Sequence, residues 1–251
     1  MKANKPSGLS GSHLKWIATI TMFIDHIGVA LLEQGLLPQI ADSVLAGNNF
    51  KFLPADYRFW YQAYLSLRFI GRLAFPIFCF LLVEGFLHTK NIKNYILRLG
   101  LFALISEIPF DLAFNGHMLE VTSQNVFFTL FLGLIVLAGL HYFKETLPAH
   151  LTPLRYLIAI TGMLAAHFLR TDYAALGVLL IVLLYEYRNN RKWQCIAGAI
   201  LTLFQSFTAP LAFLFINFYN NERGKQLPKY FFYAFYPAHL LLLVLIRTYI
   251  M

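Results

Sequence analysis

Charged residues are scarce in this sequence of 251 residues: Asp, Glu, Lys and Arg make up 13%, whereas hydrophobic residues make up 59%. A soluble globular domain carries about 25% charged residues, so this chain has too few to cover a surface that faces water. Uncharged stretches also run long, because neither residues 121–143 nor residues 193–221 contain any Asp, Glu, Lys or Arg. A helix needs about 20 mainly apolar residues to cross a bilayer. The composition therefore excludes a soluble protein and predicts an integral membrane protein.

Cysteine is also rare, and the common metal and nucleotide motifs are missing. The two cysteines, Cys79 and Cys195, lie inside apolar segments, which is typical of small buried hydrophobic residues rather than of a disulfide or a redox pair. The sequence contains no HExxH, CxxC, EF-hand, Walker, GxSxG or dinucleotide-binding motif, so we expect no bound metal. The formal net charge is +8, but its basic residues are spread over short loops, as in membrane proteins. We therefore expect no nucleic-acid partner.

The apolar segments that are present predict an all-α, polytopic helical bundle that forms a single domain over residues 1–251. We expect about eight membrane-spanning helices, at residues 14–36, 64–88, 94–114, 122–143, 154–170, 172–188, 193–216 and 230–250. Because Asp25 and His26 interrupt the middle of the first segment, we expect a retained helix rather than a cleaved signal peptide. The longest connection, residues 37–63, is expected to lie along the membrane interface. No internal repeat is evident, which speaks against a transporter built of inverted repeats.

The distribution of lysine and arginine predicts the orientation of these eight helices. With the first residue in the cytoplasm, the inner loops hold Lys2, Lys5, Lys15, Lys90, Lys93, Arg98, Lys144, Arg155, Arg188, Arg191, Lys192 and Arg247. The outer loops hold the smaller set of Lys51, Arg58, Arg170, Arg223, Lys225 and Lys229. Since cytoplasmic loops are enriched in basic residues, both termini are predicted to be cytoplasmic.

Several helices carry ionisable or polar residues that a bilayer tolerates only when they are paired, hydrated or functional. On the predicted topology they lie in one layer, at mid-depth or in the outer half, and this indicates a single site. The residues are Asp25, His26, Arg68, Arg72, Glu107, Asp111, Gln124, Asn125, His167, Asp172, Tyr173, Tyr236 and His239. Arg68 and Arg72 share one helix face, as do Glu107 and Asp111, because each pair is spaced i, i+4. One interpretation is an ion-pair network between these two helices, and the other is that an arginine binds an anionic group.

The first helix supplies the candidate catalytic residue. Asp25 and His26 are neighbours and point about 100° apart on a helix, so we expect Asp25 to pair with an arginine of the second helix while His26 faces a cavity. A neutral imidazole there is suited to act as a general base or a nucleophile, although it could instead only bridge helices by hydrogen bonds. His239 follows Pro237, which frees a backbone carbonyl one turn earlier, and Tyr236 is expected to reach that carbonyl or a ligand.

Five segments resemble the TraX family, which takes its name from a plasmid protein that acetylates the N-terminus of conjugative pilin. The segments are Ile-Ala-Thr-Ile-Thr-Met-Phe-Ile-Asp-His at 17–26, Gly-Arg-Leu-Ala-Phe-Pro-Ile-Phe at 71–78, Asn-Val-Phe-Phe at 125–128, Asp-Tyr-Ala-Ala-Leu-Gly at 172–177 and Phe-Tyr-Pro-Ala-His-Leu at 235–240. The resemblance implies a multi-span membrane acyltransferase that uses acetyl-CoA. It makes His26 the candidate base or acyl-carrying nucleophile, and Arg72 the candidate contact for a CoA phosphate or an oxyanion.

The same resemblance implies an O- or N-acetyltransferase of the bacterial cytoplasmic membrane whose acceptor is a peptide N-terminus, a glycan or a lipid. Acyl transfer needs a base, an oxyanion stabiliser and shelter from water, which His26, Arg72 or Asn125, and the bundle can supply. CoA is cytoplasmic, so we expect its arm to enter near Lys90, Lys93 and Arg98. Two alternatives stay open: a proton-coupled transporter that uses the buried ionisable cluster, and an assembly factor without chemistry.

Overall fold

The structure is a computed structural model that describes residues 8–46, 55–148, 150–225, 228 and 230–250. In these ranges the chain is helical and contains no β-strand, as the sequence predicts. The helices are α1 Gly11–Ile27, α2 Leu37–Ala46, α3 Ala55–Gly71, α4 Ala74–His88, α5 Ile92–Phe114, α6 Val126–Thr146, α7 Tyr156–Phe168, α8 Ala174–Glu186, α9 Arg191–Thr202, α10 Ala212–Asn217 and α11 Phe231–Ile250. A π-helical segment, Gly28–Leu36, joins α1 to α2, and 3₁₀ turns precede α7 and α10.

Polar side chains fix where several helices begin. The Ser10 hydroxyl accepts the backbone N–H of His13 at 3.4 Å while the His13 ring accepts the N–H of Ser10, which closes a capping box at the start of α1. Asn91, Asn125 and Asn190 cap α5, α6 and α9 through their side-chain oxygens. Each cap satisfies a backbone N–H that has no partner within its helix, so the helix boundaries follow directly from the sequence.

Within the described residues, four helical stretches are long and apolar enough to cross a membrane by length and composition. They are Gly11–Asp42, Ala55–His88, Val126–Thr146 and Phe231–Ile250. The first of these continues past Leu36 into α2, and the second begins at Ala55. Helix thus occupies both described ends of the predicted connection at residues 37–63, so the flanking helices extend beyond their predicted bounds. The interfacial placement of this connection stays a prediction, and residues 47–54 lie outside the description.

The predicted span at residues 193–216 is not one helix but a hairpin of α9 and α10. The start of α9 and the segment that follows α10 lie close together: the Arg191 guanidinium donates to the Asn221 side-chain oxygen at 3.0 Å. At the tip, the Thr208 hydroxyl donates to the carbonyl of Phe69 at 2.9 Å, and the ring of Phe207 contacts that of Phe69. The prediction of a single crossing here is wrong, since the chain enters and leaves at the same end of the bundle.

The hairpin changes the direction of the last helix. Three ring contacts, Trp16 with Phe231, Phe23 with Phe235 and His26 with His239, show that α11 runs parallel to α1. At its far end, the Arg247 guanidinium donates to the carbonyls of Leu112 and Ala113, near the end of α5.

The beginning of α1 and the end of α11 therefore lie at opposite ends of the helical bundle. Residues 9–12 pair by backbone hydrogen bonds with residues 218–223, whereas Arg247 lies at the other end of the helices. The prediction that both termini share one side does not fit this arrangement, because the first and last helices are parallel. Among the basic residues used for that prediction, Lys2, Lys5, Lys51 and Lys229 lie outside the described residues.

Candidate functional site

Asp25 on α1 forms an ion pair with Arg68 on α3, at 2.5 Å between the carboxylate and the guanidinium. The predicted pairing of Asp25 with an arginine of the second helix is confirmed. The predicted ion-pair network between the arginines and Glu107 and Asp111 is wrong, because within the described residues those carboxylates bind Asn125 and the backbone of Glu120 instead. The second oxygen of Asp25, Oδ1, is buried and accepts no hydrogen bond from a described residue.

A break between α3 and α4 positions the second arginine. The helical hydrogen bonding changes at Arg72 and Leu73, where Arg72 N–H still reaches the carbonyl of Arg68 at 3.1 Å but Leu73 N–H turns to that of Ile70 at 3.3 Å. Gly71 precedes the break and packs directly on the Asp25 carboxylate, where a Cβ would overlap the side chain. The glycine therefore allows α1 and α3 to approach closely enough for the ion pair.

His26 and His239 form a hydrogen-bonded pair with 2.6 Å between His26 Nδ1 and His239 Nε2. Their ring planes lie 5° apart. On its other side, His239 Nδ1 lies 2.6 Å from the backbone carbonyl of Phe235. A carbonyl only accepts, so His239 carries its proton on Nδ1 and accepts through Nε2. His26 must then donate through Nδ1, which leaves its Nε2 as a free base.

The turn between α7 and α8 brings two further polar residues to the same place. Tyr173 and Ala174 adopt positive φ angles of 63° and 41°, a conformation that costs about 1–3 kcal/mol for residues other than glycine. The turn is held by the Asp172 N–H, which donates to the carbonyl of Gln124 at 2.9 Å, and by the Thr129 hydroxyl, which donates to the Asp172 carbonyl. The phenol of Tyr173 stacks on Phe75, with ring centroids 3.6 Å apart.

These elements enclose a cavity of about 200 Å³. Its polar lining consists of Asp25, His26, Arg68, Arg72, Asp172, Tyr173 and Tyr236. Its apolar lining consists of Met22, Gly71, Ala74, Phe75, Phe78, Phe110, Phe114 and Val126. Two arginines face two aspartates, and Arg72 lies beside both Tyr173 and Asp172. The formal charges of the lining therefore balance, so the cavity has no surplus of positive charge for a phosphate group.

Comparison with known proteins places this arrangement in a family. The family model for the TraX protein matches residues 10–247, which includes every residue that lines the cavity. The chain belongs to the TraX family. A relative in Dichelobacter nodosus, the probable fimbrial assembly protein FimC of serogroup H1, is 29% identical over 264 aligned positions, which cover 93% of this chain and 94% of that protein. No solved structure matches the chain.

Six of the residues that the sequence placed in the polar layer do not line the cavity of this TraX protein: His239, which contacts His26, and Gln124, His167, Asn125, Glu107 and Asp111. Asn125 is fully buried, and its side-chain amide donates to the carbonyl of Ala103 at 2.8 Å and to the Glu107 carboxylate. Asp111 accepts the backbone N–H of Glu120 at 2.8 Å. These groups hold the start of α6 and the loop before it, so Asn125, Glu107 and Asp111 support the site rather than line it.

Asp172 was predicted to lie in the polar layer but was given no role in the site of this TraX protein, and Phe75 was not singled out, although both line the cavity. Asp172 had a usable signal, since it lies next to Tyr173 in one of the segments that resemble the family. Phe75 also lies in such a segment, at 71–78, but its residue type alone does not distinguish it from a packing residue among the 25 phenylalanines of the chain. Among the described residues, no group of three or more His, Cys, Asp or Glu side chains is arranged to hold a metal ion.

Proposed function

We propose that this TraX protein is a membrane-embedded acyltransferase that moves an acetyl group from acetyl-CoA to an amine or hydroxyl acceptor. The observation that carries the proposal is the oriented histidine pair, in which His239 fixes the proton of His26 and leaves Nε2 of His26 as a base on the cavity. A base whose tautomer is fixed by a second group is a recurrent arrangement in acyl transfer.

In the proposed reaction, the oxygen or nitrogen of the acceptor attacks the thioester carbonyl, and His26 Nε2 takes the proton from that O–H or N–H group. The carbonyl oxygen becomes an oxyanion, and the Arg72 guanidinium is the cationic donor on the cavity that would stabilise it. When the oxyanion collapses, the carbon–sulfur bond breaks and His26 returns the proton to the CoA thiolate. In the alternative order, His26 attacks the thioester first and carries the acetyl group itself.

The size and lining of the cavity suit this chemistry. Sites for drug-sized ligands measure about 300–1,000 Å³, so a cavity of about 200 Å³ holds an acetyl thioester and the reacting end of an acceptor rather than all of CoA. The rings of Phe75, Phe78, Phe110 and Phe114 make much of its wall apolar, which disfavours water there. Excluding water protects a thioester from hydrolysis and strengthens the interactions of the charged groups.

The relative from Dichelobacter nodosus supports a peptide as the first acceptor to test. Its name associates that protein with fimbrial assembly, a process that handles exported protein subunits. For this chain we therefore rank a peptide N-terminus ahead of a glycan or a lipid as the acceptor.

We also propose a membrane topology of seven crossings and one re-entrant hairpin, α9–α10, in the bacterial cytoplasmic membrane. Among the described residues, the end of the bundle at the start of α1 carries Lys15, Lys90, Lys93, Arg98, Lys144, Arg155, Arg188, Arg191, Lys192, Arg223 and Lys225. The opposite end carries Arg58, Arg170 and Arg247. Lysine and arginine residues are thus divided more unequally between the two ends than in the topology with eight crossings. The basic end is therefore assigned to the cytoplasm.

The proposal is tested by supplying radiolabelled acetyl-CoA and an amine-bearing peptide to the purified protein in lipid nanodiscs. We expect the release of free CoA together with labelled peptide. Label that stays on the protein when the acceptor is omitted would identify a covalent intermediate. A proton-coupled transporter would instead move a substrate across sealed vesicles and form no acetylated product, and that combination would refute the proposal.

A further inference from the structure

The histidine pair and the basic end of the bundle lie on the same helices. Lys15 and His26 are both on α1, eleven residues apart, which corresponds to about 16 Å along a helix. Between them, the facing sides of α1 and α11 carry rings in contact: Trp16 with Phe232 at 5.7 Å and Phe23 with Phe235 at 6.1 Å. A seam of aromatic rings thus connects the basic end with the cavity.

Two cations flank the beginning of α11 at that basic end. The Lys15 ammonium lies 5.7 Å from the ring centre of Phe232, on the α1 side. On the α5 side, the Arg98 guanidinium lies 5.7 Å from the ring centre of Tyr95 and beside the phenol of Tyr233. Phe232 and Tyr233 are consecutive, so the two cations lie on either side of one helix start.

Arg98 is not neutralised by a carboxylate. Within the described residues it forms no ion pair, and its Nε is buried without a hydrogen-bond partner. By contrast, Arg68 in the cavity is paired with Asp25, and Arg155 at the basic end is paired with Glu186 at 3.0 Å. A guanidinium that no carboxylate neutralises binds phosphate oxygens well, so the missing ion pair sets Arg98 apart from Arg68 and Arg155 as a phosphate ligand.

We propose that Lys15 and Arg98, on either side of the start of α11, form a binding site for the phosphate groups of the acyl donor, and that its pantetheine arm reaches from there towards His26. The identity of the donor rests on the proposed function. The site explains how a cytoplasmic donor can react at histidines that lie far from the basic end: its phosphate groups bind at the basic end and its acyl group reaches the histidines. It also assigns the phosphates to the end of the bundle where Arg98 forms no ion pair within the described residues, whereas Arg68 in the cavity is paired with Asp25.

Equilibrium binding of CoA in nanodiscs of phosphatidylcholine tests the site without requiring turnover. We expect Arg98→Gln to weaken CoA binding about tenfold or more, as the loss of a charge-assisted hydrogen bond predicts. Lys15→Gln should weaken it too, while Arg98→Lys should retain most of the affinity and show that the variants fold. Lys144→Gln, which removes a cation at the same end on α6, is the matched control and should bind CoA like the wild type.

Two further ligands separate the possible sources of phosphate. Pantetheine, which lacks the phosphates, should bind equally to the wild type and to Arg98→Gln. If the effect of Arg98→Gln disappeared in phosphatidylcholine and returned only with phosphatidylglycerol, the site would hold a lipid headgroup and the proposal would be overturned. Wild-type affinity in both Gln variants would overturn it as well. CoA binding that depends on Arg98 but leads to no acetyl transfer would refute the proposed function and leave the phosphate site in place.

Discussion

The proton of His26 is placed by a backbone carbonyl two steps away. Because the Phe235 carbonyl accepts from His239, His239 accepts from His26, and Nε2 of His26 has no proton. His239 thus acts as a positioning residue, comparable to the group that orients the base in a hydrolase triad. The rings of Phe114 and Tyr236 meet His26 edge-on, at 5.3 Å and 5.7 Å, and limit its rotation.

This arrangement predicts different effects for two substitutions of His239. Leu cannot accept the proton of His26 Nδ1, so His239→Leu should lower kcat by about 10²- to 10⁴-fold. The side-chain oxygen of Gln can accept it, so His239→Gln should retain much more activity. Steady-state kinetics gives kcat and KM for both, and melting temperatures control for folding. Equal loss in the two variants at equal stability would show that His239 does not act through the proton of His26.

At the residue scale, some of the site could be predicted and some could not. The partner of Asp25 was predictable because a buried carboxylate requires a cation, and Arg68 lies on the next helix. The roles of Glu107 and Asp111 were not predictable. Their i, i+4 spacing shows that they share one helix face, but it does not show which residues pack against that face. The position of Tyr173 depends on a positive φ angle, for which the sequence contains no glycine or asparagine as a signal.

Among the helices, the α3–α4 break is the element that shapes the cavity, and Gly71 is the residue on which it depends. A Cβ at this position would overlap the Asp25 side chain. Gly71→Ala should therefore lower the stability of the protein by about 1–3 kcal/mol, the usual cost of overpacking, and should impair acetyl transfer by displacing Asp25 from Arg68.

Thermal unfolding of the purified variant measures this effect. Gly11→Ala is the matched control, since the nearest atom to its added Cβ is 3.5 Å away, an ordinary van der Waals contact. A Gly71→Ala protein that melted with the wild type and retained full transfer would show that the close approach of α1 and α3 is not needed.

The α9–α10 hairpin shows why composition alone misjudged one element. Residues 193–221 lack Asp, Glu, Lys and Arg, and an uncharged stretch of that length is equally compatible with one crossing and with a hairpin. The signal that distinguishes them is local. Gln205, Ser206 and Thr208 followed by Pro210 interrupt the apolar run, and proline favours the first turn of a new helix over a helix interior.

For the molecule as a whole, the positions of its ends follow from that hairpin. An even number of crossings would return the last helix to the side of the first, whereas parallel α1 and α11 require an odd number. The basic loop at residues 223–225 then joins the other basic loops instead of opposing them. The sequence correctly predicted an all-helical membrane bundle, but the count of crossings depended on contacts that link residues more than 200 positions apart, such as His26 with His239.

Single cysteines test this topology in intact cells. Thr248 and Asn189 are both exposed and lie at opposite ends of the bundle. With Cys79 and Cys195 replaced by Ala, a thiol at Thr248→Cys should react with a membrane-impermeant maleimide added outside. A thiol at Asn189→Cys should react only after lysis. Protection of both positions would favour eight crossings with both ends in the cytoplasm.

The central claim is that His26 performs acyl transfer, and one comparison tests it most directly. Acetyl transfer from labelled acetyl-CoA to a peptide amine is measured for the wild type, His26→Ala and His141→Ala at equal amounts of folded protein. His141 lies outside the cavity, against Tyr185 and Phe86, and is the matched control. We predict that His26→Ala abolishes transfer while His141→Ala retains it. Full transfer by His26→Ala would contradict the account.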